Sequence, residues 1–224
     1  ASLAHGFWVN PKSVYTEGIR SITPLDLEFA RKLGYAIKLL GIVKGNGGAP
    51  VQVSVYPALI PSDHVLASVS GVYNGILVRG DVVGDTLYYG QGAGQDATAS
   101  AVLSDLADAA LDLKHDTHDR RHAFVPHDTN GAVLSIDNVS FSFYLRLSVV
   151  DRPGVLAQIA SILARGRIGI SSVIQPEGHQ GASVPLILMI HDAPNAAMQK
   201  ALGAIRRLKT VKGEPVLLRV EDFS

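Results

Sequence analysis

The sequence predicts an α+β protein built from two folded segments, and three observations lead to this prediction. Stretches rich in β-branched and aromatic residues alternate with amphipathic helical stretches along the chain. The predicted strands of residues 1–113 are joined by short turns, which is typical of antiparallel or mixed sheets covered by helices. Residues 139–224 follow the order strand, helix, strand, strand, helix, strand, which is the ferredoxin-like βαββαβ arrangement.

Composition limits the class of protein. The 224 residues are 47% hydrophobic and 18% charged, with 20 basic and 20 acidic side chains. This balance favours a globular chain and argues against a disordered protein or a nucleic-acid-binding protein. No run of about 18 apolar residues occurs, so we expect no membrane span. The absence of cysteine excludes disulfides and thiolate metal sites, and it fits a cytoplasmic protein.

A polar stretch at residues 114–138 has the composition of a connector. We therefore predict a first domain over 1–113, a linker over 114–138 and a second domain over 139–224. Four histidines of this region have spacings that could suit zinc or nickel: His115, His118, His122 and His127. They lack carboxylate or thiolate partners in a defined element, so we predict a solvated connector and no metal site. His179 is assigned to a hairpin tip.

The first domain begins with a clear helix signal. Thr23 can cap a helix with Pro24 at its first position, and Gly34 ends the apolar pattern that follows. Two strand pairs come next, the first around a turn at residues 45–50 and the second around residues 80–84. A helix is predicted over about 98–113, with Ala101, Leu106, Ala109 and Leu113 approximating an apolar face.

The glycine-rich junction from Gly90 to Thr98 has two interpretations. Glycines between a strand and a helix let the backbone approach an anionic ligand. A tight turn with Thr98 as helix cap explains the same residues without a ligand. The spacing does not match the dinucleotide-binding fingerprint, so the residues alone do not decide between these interpretations.

A family resemblance covers residues 1–113 almost continuously. The motifs VYTEGIRSIT, LGYAIKLLGIV, VYPALIP, HVLASVSGVYNGILVRGD, GDTLYYGQGAG and TASAVLSDLAD resemble, in this order, the carboxyl-terminal part of the homoserine dehydrogenase catalytic region. The resemblance implies a substrate-binding and dimerisation region that follows a Rossmann domain absent from this chain. We assign no catalytic residue here, and we interpret Glu17 as a surface or interface carboxylate.

The same resemblance implies one cofactor contact. In the family, the GxGAG loop and the following threonine close on the nicotinamide and pyrophosphate side of NAD or NADP. These positions match Gly92, Ala93, Gly94 and Thr98. Many relatives have a proline before the threonine, where this chain has Asp96-Ala97, so the loop conformation is expected to differ.

Residues 139–224 resemble the ACT domain, a regulatory module that binds amino acids. The resemblance rests on DRPGVLAQIASILA followed by ISSVIQ. Gly154 beside a helix start leaves backbone N–H groups for a carboxylate, and the helix dipole favours that charge. We therefore predict an effector site at Asp151, Gly154 and Val155, with threonine as the ligand implied by the family. Helix-start chemistry alone also explains Asp151 and Pro153.

Together the resemblances imply part of an NAD(P)-dependent homoserine dehydrogenase, interconverting L-homoserine and L-aspartate 4-semialdehyde in threonine and methionine biosynthesis. The start at Ala1, without a methionine, suggests a fragment, which we expect to be inactive alone. Apolar faces and sheet edges suggest a homodimer or tetramer. The alternative is a non-catalytic amino-acid-binding regulatory and dimerisation module.

Overall fold

The structure is a computed structural model that describes four stretches of the chain, residues 1–45, 50–117, 131–176 and 183–223. The described residues fall into two compact units. The first unit combines residues 1–62 with 128–224, and the second comprises residues 63–127. His118, His122, His127, His179 and most of the predicted turn at 45–50 lie outside the described residues.

The first unit contains most of the regular elements. They are α1 (Ser2–His5), β1 (Tyr15–Thr16), α2 (Pro24–Lys32), β2 (Tyr35–Lys44), β3 (Gln52–Pro61), β6 (Ser140–Val149), α4 (Val155–Arg165), β7 (Ile170–Ile174), β8 (Val184–Pro194), α5 (Asn195–Arg206) and β9 (Val211–Val220). The second unit contains β4 (Tyr73–Gly80), β5 (Gly84–Gln91) and α3 (Gln95–His115).

Seven strands of the first unit form one mixed sheet. Its order is β1, β3, β9, β6, β8, β7, with β2 paired to β3. The predicted hairpin is confirmed, because β2 and β3 pair antiparallel along their full length. β3 also pairs in parallel with β9, where Ala58 faces Arg219. This contact joins the two predicted domains in one sheet, so the compact units follow the sheet rather than the predicted domain boundaries.

The order βαββαβ is confirmed by β6, α4, β7, β8, α5 and β9. The four strands lie in the spatial order β9, β6, β8, β7, and all neighbouring pairs among them are antiparallel. This is the predicted ferredoxin-like arrangement. α4 and α5 pack with the same core cluster, as expected for two helices on one face of the sheet.

Alternation along β6 separates two cores. Phe143, Leu145 and Leu147 are fully buried in the cluster that contains the inward residues of α4 and α5. Tyr144 is fully buried in a second cluster, where it joins Phe29 of α2. Since side chains of a strand alternate between faces, α2 covers the face opposite α4 and α5. The sequence did not predict this third layer.

The start of α2 forms as predicted. Pro24 occupies the first position, and the Thr23 N–H donates to the Asp26 carboxylate at 2.8 Å. Gly34 follows the helix with φ +82°, a left-handed conformation that favours glycine.

The second unit contains the predicted antiparallel pair β4–β5. The prediction of Thr98 as the cap of α3 is wrong, because the helix begins at Gln95 and its N-cap is Gly94. Gly94 has φ +122°, so the chain turns into the helix there, and the Thr98 N–H already donates to the Gly94 carbonyl at 3.1 Å. The predicted apolar face of α3 is not buried, since Leu106 is 60% exposed and Leu113 is 80% exposed.

Candidate functional site

The three residues predicted to bind an effector lie together beside a small cavity. The cavity has a volume of about 170 Å³ and lies where β6 ends and α4 begins. Its lining residues are Val149, Val150, Asp151, Arg152, Pro153, Gly154, Val155, Leu156, Gln175 and Leu186. Val149 and Leu186 are buried, whereas Asp151, Arg152 and Gly154 are exposed. The cavity therefore has an apolar floor and a polar entrance.

Gly154 forms the turn into α4. It is the N-cap residue, with φ +89°, and it offers no side-chain cap to the first turn. Its carbonyl accepts the N–H of Gln158 at 3.0 Å. The first backbone N–H groups of a helix have no partner within the helix, and they carry partial positive charge. Here the Val155 N–H donates a long hydrogen bond to the Arg152 carbonyl at 3.4 Å. With Arg152 at the cavity, this end of α4 suits a small carboxylate.

Gln175, the residue after β7, also lines the cavity. The Gln175 amide lies 3.4 Å from a carboxylate oxygen of Asp151, which is a long hydrogen bond. Asp151 thus has an acceptor group at the entrance, where it could meet an ammonium group. The N-terminus of α4 and the Asp151 side chain both line this one small cavity, so positive and negative charge lie close together at its entrance.

The four residues predicted at the cofactor belong to the second unit. Gly92, Ala93 and Gly94 connect β5 to α3, and these residues and Thr98 are exposed. A Cβ at Gly92 would lie 1.6 Å from the side-chain nitrogen of Asn74, so any larger residue there would displace the exposed Asn74 side chain. The loop leaves the backbone accessible at the N-terminus of a 21-residue helix.

A buried arginine that sequence reasoning missed organises the first unit. Arg219 of β9 is 1% exposed. Its guanidinium donates to Glu17 at 2.7 Å, to the Tyr15 hydroxyl at 3.1 Å and to the Asn195 side chain at 3.1 Å. The Arg219 Cζ also lies 4.7 Å from the ring centroid of Tyr56. Glu17 is therefore an ion-paired carboxylate inside the unit.

Burial and the contact between Arg219 and Glu17 together determine protonation in this cluster. Burial acts to lower the pKa of Arg219, but the hydrogen bond and charge of Glu17 outweigh it and raise the pKa above its ordinary value. Burial raises the pKa of Tyr15, and the neighbouring Glu17 carboxylate adds to that rise. The arginine therefore stays charged and the phenol stays neutral at physiological pH.

A second buried pair holds α2 on the sheet. Asp26 is fully buried and accepts from Arg146 Nε at 2.5 Å and Nη2 at 3.0 Å. The Tyr144 hydroxyl donates to the same carboxylate at 3.0 Å. Burial alone would raise the pKa of Asp26, but the bonds from Arg146 and Thr23 outweigh burial and lower it. Burial and the Asp26 charge raise the pKa of Tyr144.

A larger groove of about 510 Å³ lies elsewhere in the first unit. Its buried acidic residue, Glu221, accepts from the Tyr56 hydroxyl at 2.5 Å and from Lys44 at 2.6 Å. These bonds give Glu221 a structural role.

Metal ligation and membrane insertion each require a recognisable set of side chains. Within the described ranges, no group of three or more histidine, aspartate or glutamate side chains is placed to hold a metal ion. No helix among the same residues is long and apolar enough to cross a membrane.

The sequence holds one signal for the two buried ion pairs. Arg146 and Arg219 are charged residues within otherwise apolar strands, and a charge in such a strand needs a buried partner.

Comparisons with known proteins identify the family. Residues 1–107 match the homoserine dehydrogenase family model. The homoserine dehydrogenase of Pseudomonas aeruginosa is 40% identical and aligns with 100% of this chain and 52% of the relative. That of Neisseria gonorrhoeae is 37% identical with the same coverage. The chain therefore spans about half the length of these curated relatives.

Solved structures agree with the sequence comparison. The crystal structure of a homoserine dehydrogenase from Thiobacillus denitrificans is 39% identical, has a TM-score of 0.85 and aligns with 100% of this chain and 51% of that chain. The S. aureus homoserine dehydrogenase at pH 6.0 is 28% identical with a TM-score of 0.60 and the same coverage. By these matches, the chain belongs to the homoserine dehydrogenase family and corresponds to the carboxyl-terminal part of its members.

Proposed function

We propose that this chain serves as the carboxyl-terminal part of a cytoplasmic homoserine dehydrogenase that acts in threonine and methionine biosynthesis. The longer enzyme would interconvert L-homoserine and L-aspartate 4-semialdehyde with NAD or NADP. The observation that supports the proposal most strongly is that the whole chain aligns with about half the length of each named relative. Residues 1–113 would bind substrate and support dimerisation, residues 114–138 would link the domains, and residues 139–224 would form an ACT regulatory domain.

The glycine loop fits a supporting role at the cofactor. When bound, the nicotinamide group supplies hydride transfer to and from carbon. Ala93 and Gly94 present exposed backbone at a helix N-terminus, which favours an anionic group such as a pyrophosphate. The Gly92 N–H donates to the Val72 carbonyl at 3.2 Å, so Gly92 would shape the loop. Thr98 lies in the first turn of the same helix and is exposed. These residues would close over the cofactor without performing the chemistry.

The isolated chain is expected to lack dehydrogenase activity. The G-x-G-x-x-G fingerprint that dinucleotide binding of this kind requires does not occur in its sequence. We expect no NADH or NADPH formation from homoserine and no NAD(P) binding at micromolar concentration. Turnover by a preparation free of full-length enzyme would contradict this result, and a full-length relative provides the positive control.

We infer that the cavity beside Gly154 binds an amino acid, with threonine as the ligand suggested by the biosynthetic role. The site has groups for both charged ends of such a ligand, since the α4 N-terminus and Arg152 favour a carboxylate and Asp151 favours an ammonium group. This property would survive in the non-catalytic alternative, in which the chain acts alone as a regulatory module. Catalytic activity of a longer form separates the two functions.

Replacement of Gly154 by valine should abolish the rise in melting temperature that threonine produces. A Cβ there meets no atom within 4 Å, but φ +89° strains any β-branched residue, and the new side chain would stand at the cavity entrance. In the native sequence, threonine that binds only the folded state raises stability with the logarithm of its concentration. Differential scanning fluorimetry measures both proteins.

The matched control is Gly203→Ala in α5. That position also has open space around a Cβ, but its φ is not positive, so the substitution should preserve the threonine-dependent shift. If native protein shows no shift with millimolar threonine, isoleucine, methionine or lysine, the amino-acid-binding proposal is wrong.

Assembly into a homodimer or tetramer is the expected state of the chain. In the second unit, Ile76 and Tyr88 of the hairpin are each 63% exposed, and Leu103 of α3 is 66% exposed. Exposed apolar surface of this kind favours association. Light scattering should give at least twice the 23.7 kDa chain mass, and Leu103→Glu should lower it. A native mass of 23.7 kDa at micromolar concentration would refute the assembly.

A further inference from the structure

β6 connects the candidate effector cavity to helix α2. Val149, the last residue of β6, lines the cavity. Arg146 lies three residues earlier on the same strand and donates two hydrogen bonds to Asp26 of α2. The three residue steps from Val149 to Arg146 span about 10 Å of continuous strand.

The pairing of β6 with β9 is irregular between Arg146 and Ser148. Arg146 faces Val216 of β9, whereas Ser148 faces Lys212. Two residue steps along β6 therefore correspond to four along β9, so β9 contains the additional residues. One of them is Gly213, which has φ +66°. A bulge increases local twist and changes the direction of neighbouring side chains. The extra residues lie on β9, whereas β6 pairs with β8 without a register shift from Phe143 to Val149. This continuous ladder couples the position of Val149 to that of Arg146.

The contact of Arg146 with α2 has a fixed geometry. Arg146 binds both oxygens of Asp26, and this two-point geometry fixes the relative orientation of the groups. Tyr144 donates to the same carboxylate, and its ring is buried with Phe29 of α2. A displacement of β6 would therefore move a fully buried group in the first turn of α2.

We propose that ligand binding in the cavity changes the stability of α2, and that Arg146 carries this coupling through Asp26. The proposal rests on the amino-acid-binding function proposed for the cavity. The regulatory signal then passes through the buried Arg146–Asp26 ion pair of the first unit. Residues 24–32 are then the element whose local opening responds to the ligand.

Hydrogen–deuterium exchange of the 224-residue chain tests this coupling, with L-threonine as the probe. In the native protein, saturating threonine should slow exchange at residues 151–156 and change exchange at residues 24–33 by about fivefold or more, the range of ordinary allosteric coupling. In the Asp26→Asn/Arg146→Gln double variant, protection at the cavity should persist while the response of α2 is lost. This double substitution keeps hydrogen-bonding groups of similar size, which limits disruption of the helix.

The control variant is Lys44→Gln. Lys44 forms an ion pair with Glu221 in the same unit, but it does not lie on β6, so the response of α2 should remain. Cavity protection without any response at residues 24–33 in the native protein would overturn the coupling while leaving amino-acid binding intact. Absence of protection at residues 151–156 would overturn the binding function and, with it, the coupling. A retained α2 response in the double variant would refute the role of Arg146.

Discussion

Replacing Arg219 with methionine is expected to lower the free energy of unfolding by about 3–5 kcal/mol. The change removes the cation from three polar partners, and it leaves the Glu17 carboxylate without its guanidinium. The Glu17 side chain is 30% exposed, so water can partly hydrate it, and we expect the lower end of this range. Urea unfolding followed by circular dichroism measures the loss.

The Glu17→Gln/Arg219→Met double variant distinguishes the ion pair from packing. Removal of the carboxylate as well should recover part of the lost stability, because no charge remains unpaired. Arg79→Gln, at an exposed ion pair in the second unit, should cause no measurable change. If the free energy of unfolding of Arg219→Met lies within about 1 kcal/mol of the native value, the cluster does not stabilise the unit as described.

Asp26→Ala is expected to cost a similar amount, about 3–5 kcal/mol at pH 7, because it leaves Arg146 with a buried and unpaired charge. It also removes the acceptor of Tyr144 and the capping contact with Thr23. Asp26→Asn should cost less, since an amide oxygen keeps one acceptor for these donors. Chemical unfolding of the two variants at pH 7 provides the comparison.

The Asp26 cluster also predicts an acid dependence. Because the folded state lowers the pKa of Asp26, its stabilisation is fully present above the unfolded value of about 3.9 and is lost as the pH falls through the lower folded value. The native protein should therefore lose stability below about pH 4 more steeply than Asp26→Asn. Parallel slopes for the two proteins would show that Asp26 does not titrate with a lowered pKa.

Local signals predicted the individual elements well. Thr23, Pro24 and Gly34 mark the ends of α2 through backbone rules that act over a few residues. The alternation along β6 and the helical spacing in α4 gave the βαββαβ order for the same reason. The start of α3 was predicted three residues late, because Thr98 is a good cap residue and Gly94 caps through its conformation instead.

Long-range features were not predictable in this way. The parallel contact of β3 with β9 joins residues about 160 positions apart, and no local pattern specifies that partner. The burial of Arg146 and Arg219 depends on Asp26 and Glu17, which are distant in the chain. The start of α4 at Gly154 follows from local rules. The effector site at the same residues stays a prediction, because helix-start chemistry and ligand-binding chemistry use the same local sequence.

Assignment of the chain as an amino-acid-sensing part of a homoserine dehydrogenase is tested most directly by an NMR titration with L-threonine. Amide shifts of ¹⁵N-labelled protein report the location of binding residue by residue. The proposed site predicts saturable shifts centred on residues 149–156 and Gln175, and their absence in Gly154→Val. Unchanged spectra at millimolar threonine, or shifts confined to residues remote from this cavity, would contradict the proposed site.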